Sequence, residues 1–158
     1  MAQAKTAEML MTSVAEMLQG YQYLFLGGFY MLTYIAVGVG GAVGSCLRYA
    51  ITTLCYQHNE AFPFGTLISN CIAGLLIGFV LGIDRRIKIF SPNARLFLTS
   101  GLMGGLSTFS AFSMETIDLF KNGKYLLSSA NIMLNLCLGF ICVIVGMALA
   151  DFMAKRAL

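Results

Sequence analysis

Charge is scarce in this sequence. Only 11% of its 158 residues are Asp, Glu, Lys or Arg, whereas 58% are hydrophobic, and the mean hydropathy is +0.80. A soluble domain needs more charged surface than this composition supplies. The chain is therefore predicted to be an integral membrane protein in contact with the lipid bilayer. Its net charge of +3 then concerns membrane orientation and not nucleic-acid binding.

The sequence also lacks the residue patterns of catalytic and metal sites. Its one histidine, His58, stands beside Glu60 in a loop, where a solvated side chain is the ordinary interpretation. There is no catalytic triad and no pair of carboxylates, and "GLMGG" lacks the Gly-Lys-Ser/Thr end of a phosphate loop. The five cysteines match no zinc or redox spacing and are interpreted as packing residues. The sequence therefore predicts a protein that is not an enzyme.

Charge-free runs divide the chain into four apolar spans, near residues 31–55, 64–83, 95–120 and 125–150. Each has about the 20 residues that a helix needs to cross the hydrocarbon core. One side of these spans collects Arg85, Arg86, Lys88, Arg95, Lys155 and Arg156, with Lys5. The other side holds Arg48, Lys121 and Lys124. This distribution favours both termini in the cytoplasm.

Residues 1–30 differ from the rest because charged and apolar residues alternate along them. No basic head precedes a cleavable apolar core, so the segment does not match a signal peptide. We expect an N-terminal extension that is amphipathic or disordered, followed by a four-span domain of residues 31–158.

The second span carries a regular stripe of small residues. Asn70, Gly74, Gly78 and Gly82 recur every four positions, so they share one helix face and predict close approach of another helix. Packing accounts for the glycines but not for Asn70. An amide at that depth is costly unless it meets a partner, water or a substrate.

The first and fourth spans carry related signals. Gly40 and Gly44 stand one turn apart in the first span, and Arg48 closes it, where we expect its side chain to reach the interface or exposed carbonyls in preference to a substrate. In the fourth span, Asn131 and Asn135 are four positions apart. They predict either a wet pathway or a hydrogen bond between helices.

The stretch "GLMGGLSTFSAFS" at residues 101–113 is a poor continuous helix. Each glycine costs a helix about 1 kcal/mol relative to alanine, so Gly101, Gly104 and Gly105 predict an unwound point near mid-membrane. Non-helical backbone at that depth must be buried in protein or line a polar cavity. Phe109 and Phe112, three apart, are expected to share one face after the helix resumes.

Neutral hydrogen-bond donors surround this predicted break. They are the Asn70 amide, the hydroxyls of Ser107, Thr108, Ser110 and Ser113, and the electropositive ring edges of the two phenylalanines. Fixed cations would hold a small hard anion too tightly, whereas neutral donors bind it weakly at several points, as conduction requires. Composition alone leaves an anion path as one option among several.

Three motifs in this order, "GGAVGSCLRY", "GTLISN…G" and "GLMGGLSTFSAFSMET", resemble the small bacterial fluoride channels of the Fluc/CrcB family. The resemblance runs from about Met31 to the C-terminus. It implies an all-α fold with four transmembrane helices per subunit, the third broken near mid-membrane, and an antiparallel, dual-topology homodimer with two fluoride pores. It further implies passive fluoride export across the bacterial plasma (inner) membrane, fluoride resistance, and a structural sodium ion at the dimer interface.

The resemblance also implies roles for individual residues. Those assigned to the fluoride pore and its polar track are Asn70, Phe109, Phe112, Ser110, Thr108 and Asn135, with Glu115 near the pore's end. The sodium ligands are the backbone carbonyls of Gly104 and Ser107. At the position where relatives carry a pore serine this chain has Gly139, and Asn135 or Asn131 is expected to replace that donor.

Two other functions are compatible with a tiny four-span chain. A proton-coupled exporter of the small multidrug type needs a titratable carboxylate in the first span, and residues 31–55 contain no Asp or Glu. A non-transporting scaffold subunit would use the glycine faces for packing only. It leaves Asn70 and the cluster of hydroxyls and aromatic rings unexplained.

Overall fold

The structure is a computed structural model that describes residues 2–56 and 61–157. Within these ranges every regular element is helical, as predicted, and no strand occurs. The chain divides into a unit of residues 1–35 and a unit of residues 36–158. The described residues of the first unit are helical. All the predicted site residues belong to the second unit.

Four long helices contain most of the described residues. They are α1 (Ala2–Tyr56), α2 (Phe64–Ile87), α5 (Phe109–Lys121) and α6 (Tyr125–Ala157). Among the described residues, three stretches are long and apolar enough to cross a membrane: Tyr30–Tyr56, Phe64–Ile87 and Tyr125–Arg156. The first, second and fourth predicted spans therefore correspond to continuous helices of the described chain.

The region predicted as the third span is a series of shorter helical pieces. These are α3 (Pro92–Leu96), a π-helical segment (Phe97–Met103), α4 (Gly104–Leu106) and then α5. The first turn of α3 begins at Ser91, whose hydroxyl accepts a hydrogen bond from the Ala94 amide at 3.3 Å. Between α4 and α5 the backbone is extended at Ser107 and Thr108, so the helix is interrupted there.

The glycines of this region do not form the break. Gly104 is helical, with φ −64° and ψ −37°. A Cβ on Gly101 would lie 2.8 Å from the Val37 carbonyl oxygen, and a Cβ on Gly105 would overlap the carbonyl oxygen of Gly41. The prediction that these glycines unwind the helix is wrong in position, because Gly101 and Gly105 allow close backbone contact with α1 instead.

Close glycine contacts also join α2 to α6. A Cβ on Gly78 would overlap the Val143 carbonyl oxygen, and a Cβ on Gly146 would overlap the Leu75 carbonyl oxygen. Residue numbers rise together along the contact, so the two helices run parallel. The predicted packing stripe on α2 is therefore confirmed, and it fixes the position of Asn70 one turn before the first glycine, Gly74.

Candidate functional site

An open groove of about 390 Å³ lies between α2, the interrupted region and α6. The predicted site residues that line it are Asn70, Gly104, Ser107, Thr108, Phe109, Phe112 and Asn135. Most of its remaining lining is aliphatic, and Gly139 also borders it with nothing within 4 Å of an added Cβ. These predicted site residues are far apart in the sequence and belong to α2, the interrupted region and α6. The structure brings them together in one groove.

Asn70 holds the extended backbone at the break. The Thr108 amide donates to Asn70 Oδ1 at 2.8 Å, and Asn70 Nδ2 is 3.4 Å from the Thr108 carbonyl oxygen. In a continuous α-helix the Thr108 amide would instead donate to the carbonyl of Gly104. The Asn70 side chain therefore replaces a helical hydrogen bond, and the interruption depends on it.

A chain of amides continues from Asn70 into α6. Asn70 Nδ2 donates to Asn135 Oδ1 at 2.9 Å, and Asn135 Nδ2 donates to Asn131 Oδ1 at 2.9 Å and to the Asn131 carbonyl oxygen at 3.0 Å. Asn131 Nδ2 then donates to Thr116 Oγ1 at 2.9 Å, and the Thr116 hydroxyl donates to the Phe112 carbonyl at 2.7 Å. We call these residues, Asn70, Asn135, Asn131 and Thr116, the amide chain.

Every donor in the amide chain points in the same direction, from α2 through α6 to α5. Aligned hydrogen bonds of this kind polarise and strengthen one another in a low-dielectric interior. Asn131 is fully buried, and Asn135 and Thr116 are each 8% exposed. Asn70 stands at the groove end, where its 3.4 Å contact is long for a hydrogen bond and leaves that proton weakly held.

The two phenylalanines contact each other and contribute differently to the groove. Their ring centroids are 5.6 Å apart with an interplanar angle of 57°, a tilted arrangement that turns a ring edge outward. Phe112 is 8% exposed, whereas Phe109 is 78% exposed. The predicted shared face is confirmed. The Phe112 ring is packed inside the protomer, whereas the Phe109 ring is exposed at its surface.

Thr108 and Ser110 form the polar start of α5. Thr108 Oγ1 caps the helix by accepting from the Ala111 amide at 3.2 Å. The Thr108 and Ser110 hydroxyl oxygens are 3.2 Å apart, so one donates to the other. Ser110 is exposed and does not line the groove itself. Its place beside Thr108 is nevertheless consistent with the predicted polar track.

Arg48, in α1, forms a hydrogen bond with the backbone of the interrupted region. Its Nε donates to the Gly105 carbonyl oxygen at 3.1 Å. That carbonyl would accept from the Phe109 amide if α4 continued without interruption. The expectation that Arg48 satisfies exposed carbonyls is confirmed, and the side chain does so beside the groove.

Glu115 lies in a different place from the other predicted residues. It lines a separate cavity of about 350 Å³ with Thr66, Asp118 and Lys124 among its walls. The Thr66 hydroxyl donates to Glu115 Oε1 at 2.5 Å, while Glu115 Oε2 is buried without a hydrogen-bond partner among the described residues. Glu115 is thus three positions beyond Phe112 but outside the groove.

Three residues that form hydrogen bonds with the site residues are not among those predicted from the sequence. Thr116 joins the amide chain to α5, Ser128 donates to the Thr116 carbonyl at 2.9 Å, and Thr66 bonds to Glu115. A pattern could have indicated Thr116, because it follows Phe112 by four positions. Thr66 and Ser128 are single hydroxyls without any such spacing. The loop residues His58 and Glu60 lie outside the described residues.

Comparisons with known proteins agree with the motifs. A family model described as "CrcB-like protein, Camphor Resistance (CrcB)" matches residues 35–147. A protein of Clostridium novyi (strain NT) named "Fluoride-specific ion channel FluC" is 46% identical over 116 residues, which are 73% of this chain and 91% of that protein. Proteins of the same name from Clostridium perfringens (strain 13 / Type A) and Ruminiclostridium cellulolyticum are 44% and 39% identical. Those matches cover 76% and 79% of this chain, and 94% and 97% of the relatives.

Proposed function

Since the chain belongs to the CrcB family, we propose that it is a passive, fluoride-selective channel of the bacterial plasma membrane. It lets cytoplasmic fluoride leave and so confers fluoride resistance. The bacterial relatives are named as fluoride-specific ion channels, and that name describes a transporter and not an enzyme. No observation on this chain favours a multidrug exporter or a scaffold.

The single observation that carries this proposal is the chemistry of the groove. Its polar lining consists of neutral groups: the amides of Asn70 and Asn135, the hydroxyls and backbone of Ser107 and Thr108, and the hydroxyl of Thr99. No Lys, Arg, Asp or Glu is among the residues that line it. A small anion would therefore meet weak donors and ring edges, and no fixed charge that traps or expels it.

Two protons are the best candidates to contact the anion. One is the weakly held Nδ2 proton of Asn70, and the other is the hydroxyl proton that the hydrogen bond between Thr108 and Ser110 leaves over. The Ser107 hydroxyl already donates to the Met103 carbonyl at 2.9 Å. Asn135 would act through Asn70, because its Nδ2 donates only to Asn131 and its Oδ1 accepts from Asn70. The exposed edge of Phe109 and the packed edge of Phe112 would complete the path, and Glu115 would stand beyond it near the pore's end.

Efflux from liposomes tests the function directly. Protein reconstituted in potassium fluoride should release fluoride at once when valinomycin is added, because potassium then carries the compensating charge. The same vesicles loaded with potassium chloride should release little. Equal efflux of both halides would contradict selectivity, and fluoride release that needs a proton gradient in place of valinomycin would contradict a passive channel.

We also propose four spans and an antiparallel homodimer. The pieces from Pro92 to Lys121 together exceed the length that a membrane-crossing segment requires, about 20 residues. The groove is open on the protomer and is flanked by Phe109 and Phe140, which are 78% and 68% exposed. Polar backbone cannot face lipid, so a second copy is the natural cover.

Labelling from one side of a sealed membrane tests the dimer arrangement. A single cysteine placed at Lys155 in an otherwise cysteine-free chain should be half accessible to an impermeant maleimide from outside, and fully accessible after permeabilisation. Complete or absent labelling in sealed vesicles would contradict opposite orientations. Native mass spectrometry of the same sample gives the subunit number.

A structural sodium ion fits the same region. We propose that the backbone carbonyls of Gly104 and Ser107 hold it at the dimer interface. The Thr108 amide donates to Asn70, so the Gly104 carbonyl lacks its usual helical donor, and both residues line the groove. Carbonyl oxygens suit hard cations, and the ion would offset the repulsion between carbonyl dipoles of two subunits.

Replacement of sodium by a large organic cation tests this site. The dimer should then dissociate in detergent, as followed by native mass spectrometry. Ser107→Ala should retain the ion because it keeps the carbonyl. A stable, active dimer without sodium would contradict the bridging role.

A further inference from the structure

A second site lies at the opposite end of α2 from the amide chain. Where α2 ends, Asp84, Arg85, Lys88, Phe90, Pro92 and Arg95 line a cavity of about 480 Å³. We call it the basic cavity. It adjoins the end of a helix that is apolar enough to span the membrane, so it belongs at the level of the lipid headgroups.

The cations of the basic cavity exceed its anions. Asp84 is already engaged, because Arg95 Nη1 is 3.6 Å from its Oδ2 and the Phe90 amide donates to its Oδ1 at 3.3 Å. Arg85 and Lys88 have no carboxylate partner among the described residues. The neighbouring Arg86, by contrast, pairs with Asp151 at 3.0 Å. The cavity thus retains two uncompensated positive charges.

Lys88 occupies a backbone conformation that glycine usually fills. Its φ is 50° and its ψ is 47°, the left-handed cap that ends α2, with the Lys88 amide donating to the Asp84 carbonyl at 3.0 Å. A side chain is unfavourable at such a position. The lysine at this position therefore suggests a role for its positive charge, which glycine could not supply.

Apolar surface adjoins these charges. Ile87 and Ile89, on either side of Lys88, are 39% and 63% exposed. A free phosphate ion would gain nothing from them. A ligand with an anionic head and hydrocarbon chains would contact both the cations and the isoleucines.

We propose that the basic cavity binds the headgroup of an anionic phospholipid. The phosphate lies between Arg85 and Lys88, and the acyl chains contact the exposed isoleucines. Cavities lined by lysine and arginine at the ends of membrane helices have the chemistry for such headgroups. The site is separate from the groove and does not depend on the proposed function.

Lipid retention by the full-length protein tests the proposal. Wild-type protein exchanged into mixed vesicles of phosphatidylglycerol and phosphatidylcholine should retain phosphatidylglycerol selectively when analysed by native mass spectrometry. Lys88→Gly and Arg85→Gln should each lower that retention about fivefold, the effect expected for one basic residue near an anionic headgroup. Lys88→Gly is the sharper variant, because glycine relaxes the left-handed cap and should not impair folding.

Lys155→Gln is the matched control. Lys155 lies near the end of α6, which runs parallel to α2, and is exposed outside the basic cavity. It should leave retention unchanged. An equal loss in Lys155→Gln, or equal retention of the two lipids by wild type, would overturn the proposal. Competition by inorganic phosphate as effective as that by phosphatidylglycerol would also overturn it, because the site would then recognise a free anion.

Discussion

The contact between α2 and α6 has two halves with opposite chemistry. In the half around Gly78 and Gly146, backbone meets backbone and no side chain separates the helices. In the half around Asn70 and Asn135, a side-chain hydrogen bond of 2.9 Å joins them. The glycine half fixes distance and register, whereas the amide half supplies donors beside a groove. A rigid contact about two to three turns away can therefore hold the polar groups in place.

Gly146→Ala should have the largest effect, because its Cβ would overlap the Leu75 carbonyl oxygen and lie 2.8 Å from the Phe79 amide nitrogen. Neither backbone group can move without separating the helices. Overpacking of this kind costs about 1–3 kcal/mol or more. We expect loss of monodisperse protein in detergent, as measured by size-exclusion chromatography and thermal unfolding.

Gly139→Ala is the matched control on the same helix. Nothing lies within 4 Å of a Cβ at Gly139, and alanine favours a helix by about 1 kcal/mol over glycine. Its thermal stability should equal or exceed that of wild type. If both variants were equally stable, the glycine half would not fix the distance between the helices.

Asn70→Ala should abolish transport with a smaller loss of stability. It removes the groove donor, and it leaves the Thr108 amide without its 2.8 Å partner. The unpaired Thr108 amide accounts for the loss of stability. A hydrogen bond to an ion contributes about 1.5–3 kcal/mol, so loss of the groove donor should lower fluoride efflux more than about tenfold. Efflux measured with a fluoride electrode is the test.

Ile72→Ala, two positions along α2 at a partly exposed side chain, is the control and should retain efflux. A double variant Asn70→Ala with Asn135→Ala should be scarcely worse than Asn70→Ala alone, because the two amides act as one hydrogen-bonded unit. Additive losses would show that Asn135 contacts the anion by itself.

Variants of the two phenylalanines should be alike in their loss of transport but different in their loss of stability. Phe109→Ile and Phe112→Ile both remove a ring edge from the groove, so both should lower fluoride efflux severalfold. Only Phe112, at 8% exposure, is packed in the protomer, and its replacement should lower stability by about 1 kcal/mol. Thermal unfolding that falls equally in both variants would contradict this division of roles.

The helical class, the packing stripe of α2 and most of the polar and aromatic residues of the groove could be predicted from the sequence, whereas Ser110 and Glu115 lie outside the groove. Glycine spacing determines a helix face, and the motif residues Asn70, Thr108, Phe109 and Phe112 carry the resemblance. The position of the break could not be predicted from glycine propensity. Gly101 and Gly105 serve tertiary contacts with α1, and the interruption depends on a hydrogen bond from Thr108 to Asn70, 38 positions away.

Arg48→Gln should have the smallest effect, and it tests whether the interruption needs support from α1 as well as from α2. The Arg48 Nε bond to the Gly105 carbonyl is 3.1 Å, and glutamine could supply a neutral donor only if its shorter side chain reached that oxygen. A hydrogen bond to a charged group contributes about 1.5–3 kcal/mol and a neutral one about 1 kcal/mol, so we expect a loss of about 1 kcal/mol in stability. Fluoride efflux should stay within about twofold of wild type, because the Arg48 side chain does not line the groove. Arg48→Lys separates charge from shape, since lysine keeps the charge but lacks the planar guanidinium. If Arg48→Gln abolished efflux while its thermal unfolding matched that of wild type, Arg48 would act on the anion directly and not on the carbonyl of Gly105.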